Sequence, residues 1–259
     1  MFENVPEFVS TVAEGLWITV QATLIGIVIA TTLSFVFGLA MLSRLRTVRV
    51  VARIYVEIWR GTSEVVQLLW LMFVLPILVG YRLVPLLVGI LVLGLNFGAY
   101  GAEIVRGAVQ SVPRAQYEGS IALSLTPAQR MRRVILPQAL VEMVPPFNNL
   151  FIQLLKGSAL LTIIGVHEMT HQGKEVLVPR NIGQSATIWT IILLFYLVLA
   201  ILITVGMRWI ERSSARLVGR RPSEQEGFFS SLFRGRKKPP LVRDVPVGGA
   251  SGAGPGSDQ

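Results

Sequence analysis

Residues 16–42 read LWITVQATLIGIVIATTLSFVFGLAML, and no charged side chain occurs between Glu14 and Arg44. As a helix this stretch reaches roughly 40 Å, more than the ~30 Å hydrocarbon core of a bilayer, so it can cross with tilt to spare. A cleaved signal peptide would need a basic start, a shorter apolar core and a small-residue cleavage site. This N-terminus is acidic instead (Glu3, Glu7, Glu14), so a retained membrane span is expected.

Composition agrees. The 259 residues are 52% hydrophobic and only 15% charged, and the apolar residues are blocked into long runs rather than spread at an amphipathic period. There is no cysteine, which excludes disulfides, thiolate metal sites and cysteine nucleophiles, and His167 and His171 are the only histidines, too few for a histidine-rich metal centre. A net charge of +9 in a chain with membrane spans points to loops facing anionic lipid, not to nucleic acid.

Further spans follow at about 64–81, 83–106, 138–160 and 186–208, giving an all-α, polytopic bundle of about five transmembrane helices in residues 1–212. The fourth holds Pro145-Pro146, Asn148, Asn149 and Gln153, so a broken helix lining a wet cavity or packed in protein is expected there. Five spans put the termini on opposite sides. With the N-terminus outside, segments 43–62 and 103–137 and the tail after Met207 carry 20 of the 24 lysines and arginines. That asymmetry predicts an external N-terminus and a cytoplasmic C-terminus. From about 213 to 259 the chain turns basic and then Gly/Pro-rich, a composition expected to stay largely disordered. Within it, Gly227–Lys238 mixes phenylalanines with basic residues, as a segment lying on the inner leaflet would, although a plain solvated tail fits too.

The loop before the fourth span reads as two short helices. Arg114–Leu125 carries apolar residues at helical spacing, and Thr126-Pro127-Ala128-Gln129 is a restart: threonine as cap, proline at the first helical position, glutamine closing a capping box. Such a hairpin is either a knob for a groove on another protein or an element packed on its own bundle.

The residues Glu118-Gly119-Ser120-Ile121-Ala122-Leu123-Ser124, followed by Ile135-Leu136-Pro137, resemble the EAA loop of bacterial ATP-binding-cassette importers. Gly119 and Ser120 stand for its two alanines, and Ser124 for its glycine. Arg60–Leu68 is similar to a motif of the polar amino-acid permeases, with Ser63 where proline is usual, and Ala99–Gly107 matches another. Pro145-Pro146, Asn149, Phe151-Ile152 and Leu154-Leu155-Lys156 match a third, so the resemblance runs from about Leu16 to Met207. Ser63, Trp70 and Phe73–Pro76 look most like permeases of ectoine and hydroxyectoine importers, while Leu150 stands where many arginine- or glutamine-type relatives carry glutamate.

The resemblance implies a type I importer permease of the bacterial cytoplasmic membrane. It implies partners too: a dimer of ATPase subunits, a second permease chain of the same or another kind, and an extracytoplasmic solute-binding protein. Glu118, Gly119, Ser120, Ala122, Leu123, Ser124, Ile135, Leu136 and Pro137 would couple to the ATPase. No Gly-x-x-x-x-Gly-Lys-Ser/Thr run occurs, so this chain is expected to be no enzyme and to hold no cofactor or metal, with ATP and Mg on the partner. The path would use Asn149 and Gln153, which share a helical face, together with Lys156, Asn96 and Tyr100. Interhelical hydrogen bonding is the other reading of the two amides. Lys156 would cost ~2.5–3.5 kcal/mol at the bilayer centre unless it snorkels to the outer headgroups or meets a carboxylate. Glu103 and Arg106 read as a structural pair near the inner surface, and His167 and Glu168 as solvated outer-loop residues. A proton-coupled secondary transporter of small zwitterions is an alternative, but it would not need the hairpin, and an accessory membrane scaffold would also explain spans without a motor.

Overall fold

The computed structural model describes residues 4–217, with only the backbone described for 214–217. The tail expected from 213 onward lies outside this range, its first residues excepted, and so does Gly227–Lys238. Among the described residues every regular element is helical.

The first helix, α1, runs Val5–Ala40, starting well before the apolar stretch. Proline in its first turn supplies a preset φ, and Glu7 there suits the positive end of the helix dipole. Its buried positions form a ridge of small residues, Gly15, Thr19, Ala22, Gly26, Ala30, Ser34 and Gly38. The ridge lets α1 lie closely along α5 (Pro85–Ser111). Ser34 Oγ donates to Ala30 O at 2.6 Å and to Gly98 O at 3.3 Å, and a Cβ on Gly38 would stand 2.7 Å from Ala102 O. In lipid no hydrophobic force drives helices together, so close backbone approach and cross-helix hydrogen bonds do that work.

Among the described residues, four helices are long and apolar enough to cross a bilayer. The segment expected as a span at 64–81 is joined to a further helix through a sharp bend. Helix α2 (Arg46–Gly61) packs beside α5, and the chain bends by 99° before Glu64–Val79, so this bent pair is either one broken span or a re-entrant loop. The charge pattern predicts that segment 43–62 connects two spans. Its arginines hid a helix that buries Ala52 and Val56 and stacks Tyr55 on Phe37 at 3.9 Å.

After the bend come α3 (Glu64–Leu69), a π-helical turn (Trp70–Val74) and α4 (Leu75–Val79). The same widening occurs at Met131–Ile135 and Gln172–Leu177, each ending shortly before a proline (Pro76, Pro137, Pro179). A proline ring clashes with the carbonyl four residues back, and an i→i−5 bond moves that carbonyl aside. Leu75 N–H to Trp70 O and Leu136 N–H to Met131 O are such bonds.

The break expected in the fourth span does not occur. α8 runs Leu136–Gly157 straight through Pro145 and Pro146. Packing supplies the reason: Met143, Val144, Phe147, Leu150 and Leu154 are all buried in the main core, and a packed helix tolerates the freed carbonyls. The hairpin before it consists of α6 (Arg114–Ala122) and α7 (Pro127–Arg130). Beyond α8 a 3₁₀ stretch (Ser158–Ile164) and the short α9 (Met169–His171) and α10 (Val178–Arg180) cap the other end of the bundle, and α11 (Ser185–Leu217) closes it.

Candidate functional site

The bend between α2 and α3 is set by amides. Gln67 donates to Trp59 O at 2.9 Å and to Thr62 Oγ1 at 2.6 Å, and Asn96 of α5 donates to Trp59 O at 2.9 Å and Gln67 Oε1 at 3.0 Å. The carbonyls orphaned where α2 ends thus find partners, which a buried helix terminus requires. Ser63 has φ −71° after an extended Thr62, the geometry proline prefers, so serine is accommodated without any backbone change.

Beside this bend lies a cavity of about 510 Å³. Thr62, Ser63 and Glu64 line it from the bend, Asn96, Phe97 and Tyr100 from α5, and Gln153 and Lys156 from α8. Neither Lys156 nor Glu64 forms an ion pair among the described residues. Four of the five residues assigned to a path from sequence therefore meet here. Asn149 does not: it is exposed, but outside the cavity wall. Lys156 pairs with no carboxylate among the described residues, and it lines the cavity together with Asn96 and Phe97, which lie midway along α5. Glu64 carries no assignment from the sequence pattern, and the bend places it on the cavity that Lys156 also lines. Leu150 is buried against α5, 3.2 Å from where a Cβ on Gly101 would sit, so this position does not set the cavity's charge.

Next to the cavity, Arg60 lies over the Tyr100 ring at 5.1 Å and 3.7 Å from Glu103, whose other oxygen meets Arg106 at 2.6 Å. Glu103 is one turn from the cavity wall, so the pair is not confined to the end of α5.

The hairpin presents its apolar tip outward. Ile121 is 56% and Leu123 76% exposed, with Glu118, Gly119, Ala122 and Ser124 also exposed. Ser120 and Ile135, assigned from sequence to a partner contact, are buried within the chain instead. Ser120 Oγ donates to Tyr117 O at 2.7 Å, and Ile135 is fully enclosed in the core. Leu136 and Pro137 are half-buried. Burial raises the Tyr117 pKa, partly offset by Arg130, and its hydroxyl donates to Val109 O at 3.2 Å, tying the hairpin to α5. Thr126 and Gln129 form the full capping box. Ser124 takes φ +54°, the left-handed region, which is where a glycine costs nothing and serine about 1 kcal/mol. Ser124→Gly is therefore expected to stabilise the chain by up to ~1 kcal/mol, read as a small rise in the detergent melting temperature. No change or a drop would mean that the serine hydroxyl compensates.

At the opposite end, Glu168 corrects the expectation of a solvated residue. It is completely buried, accepts from Thr162 Oγ1, from the N–H groups of Thr170 and His171 at 2.8 Å each, and from Tyr196 Oη at 3.0 Å. His167 is exposed, its ring edge-on to His171 at 4.5 Å.

Residues 22–216 match the family model described as binding-protein-dependent transport system inner membrane component. A probable amino-acid ABC transporter permease protein of Sinorhizobium fredii is 42% identical over 83% of this chain and 92% of its own length. The glutamine transport system permease protein of Escherichia coli is 34% identical over 80% and 93%. Among solved structures, an amino acid ABC transporter crystallised with histidines matches with a TM-score of 0.71 and 30% identity, over 82% of this chain and 98% of that one. An inward-facing methionine ABC transporter matches at 0.67 and 23% identity over 79% and 96%, a likeness of fold.

Proposed function

The chain belongs to the family of binding-protein-dependent transport system inner membrane components, as a non-enzymatic permease of the amino-acid ABC importer type, and from that premise we propose that it imports a small zwitterion, a polar amino acid or an amino-acid-like compatible solute. The observation that carries this reading is the cavity at the bend, which offers an ammonium (Lys156) and a carboxylate (Glu64), neither in an ion pair among the described residues, and the amide of Gln153. A zwitterion needs both signs of charge within one small site. Weak, reversible contacts suit transport, since a solute held tightly at mid-membrane would not leave.

Within the class, Ser63, Trp70 and Phe73–Pro76 favour a cyclic solute of the ectoine type over the glutamine of the Escherichia coli relative. The N-terminus is external and the C-terminus cytoplasmic, as the basic residues are distributed. The hairpin then faces the cytoplasm, where it couples to a dimer of ATPase subunits that hold ATP and Mg. A second permease chain and an external solute-binding protein complete the importer.

The test is uptake by the reconstituted complex with ectoine, glutamine and arginine in turn. Lys156→Met is expected to lower uptake of the preferred zwitterion about tenfold, the loss of one charge-assisted hydrogen bond. Glu64→Gln should weaken substrates bearing a free or ring amine more than it weakens simple carboxylates. Parent-level uptake in both variants at normal expression would refute the cavity as the site, and uptake driven by a proton gradient without ATP would favour a secondary transporter.

A further inference from the structure

The Arg60 guanidinium is held from two sides. It lies over the ring of Tyr100, which is part of the cavity wall, and reaches Glu103 at 3.7 Å. Glu103 Oε2 takes Arg106 at 2.6 Å through one nitrogen and 2.8 Å through another, and Arg106 donates onward to Gln110 Oε1 at 2.8 Å. Gln110 stands in the last turn of α5, which ends at Ser111, immediately before the hairpin. A continuous polar ladder therefore runs along one face of α5 from the cavity wall to the root of the hairpin.

We infer that Glu103 is a positioning residue that couples occupancy of the cavity to the ATPase. This rests on the importer reading above. Arg60 belongs to the bend and Glu103 to α5, so their pairing changes whenever the bend moves relative to α5. A solute pressing on Tyr100 or the Thr62–Glu64 wall shifts Arg60, and Glu103 then redistributes its charge between Arg60 and Arg106. Each contact is partly exposed, with side chains 29–41% accessible, so none is a rigid lock. Weak, exchangeable pairs are what a coupling element with two arrangements needs.

The test uses the full complex of permease, ATPase and binding protein in vesicles. Glu103→Gln is expected to assemble normally and to keep basal ATP hydrolysis within about twofold, while hydrolysis stimulated by the loaded binding protein falls about fivefold. Arg60→Gln should give the same loss, and the double variant should be no worse than either single one, because both cut the same link. Gln110→Ala changes an exposed side chain and gives an independent reading should Glu103→Gln fail to assemble; about a twofold loss of stimulation is expected, at the lower edge of typical coupling. Parent-level stimulation in Gln110→Ala and in assembled Glu103→Gln would overturn the inference alone. Equal losses of basal and stimulated hydrolysis would overturn it too, marking a merely structural pair. A parent complex without stimulation would refute the importer reading and this inference with it.

Discussion

Replacing Glu168 by Ala is expected to destabilise the chain by about 2–4 kcal/mol, because several buried donors lose their acceptor at once. The carboxylate is fully buried and accepts from four donors, two backbone N–H groups and the hydroxyls of Thr162 and Tyr196. Each buried donor left unpaired costs ~1–3 kcal/mol, less wherever water re-enters. The damage would not stay local. The neighbouring Met169 N–H donates to Thr19 Oγ1 of α1 at 3.2 Å, and the Glu168–Met169 backbone lies so close to Gly15 that a Cβ there would sit 2.5 Å from it. Tyr196 connects the same knot to α11, so three parts of the fold meet at one carboxylate. Glu168→Gln keeps the size but turns one acceptor into a donor, so an intermediate loss of ~1–2 kcal/mol is expected. Thermal unfolding in detergent, with limited proteolysis between residues 165 and 184, reads both. A parent-like melting curve for Glu168→Ala would refute the argument.

Leu123→Asp should abolish recovery of the ATPase subunit with the permease while leaving the permease folded. Leu123 is 76% exposed at the hairpin tip beside Ile121, and a leucine so placed contributes little to its own chain. An apolar anchor desolvated in a partner's groove typically contributes ~2 kcal/mol or more, and a buried unpaired aspartate adds its own penalty, so binding should fall at least ~30-fold. Glu118→Gln, at the rim of the same surface, should cost much less. Co-purification at parental yield with Leu123→Asp would show that this hairpin does not carry the contact. Replacing Ser120 is a poorer test, since its side chain is enclosed within the chain and bulk there would disturb the hairpin itself.

Much of this was legible along the chain. The uncharged run before Arg44, the apolar block from Ala186 and the capping box at Thr126 are local patterns with local consequences, and α1, α11 and α7 appear where those patterns lie. The ridge Gly15–Thr19–Ala22–Gly26–Ala30–Ser34–Gly38 was also there to be read, as small residues three and four apart on one helical face. Pro145-Pro146 misled because a proline pair signals a break only where nothing holds the helix together.

By itself, then, the sequence determined the apolar spans, the capped hairpin and the absence of a phosphate-binding loop, because each depends on residues within a few turns of one another. Only the tertiary structure decided that Glu168 is buried, that Leu150 turns away from the cavity, and that Glu64 and Lys156 share it. Glu64 and Lys156 lie far apart in the chain, and the 99° bend beside Gln67 and Asn96 puts Glu64 on the cavity that Lys156 also lines. Whether a charged side chain meets water, lipid or a partner is fixed by what packs around it, and no periodicity along the chain encodes that.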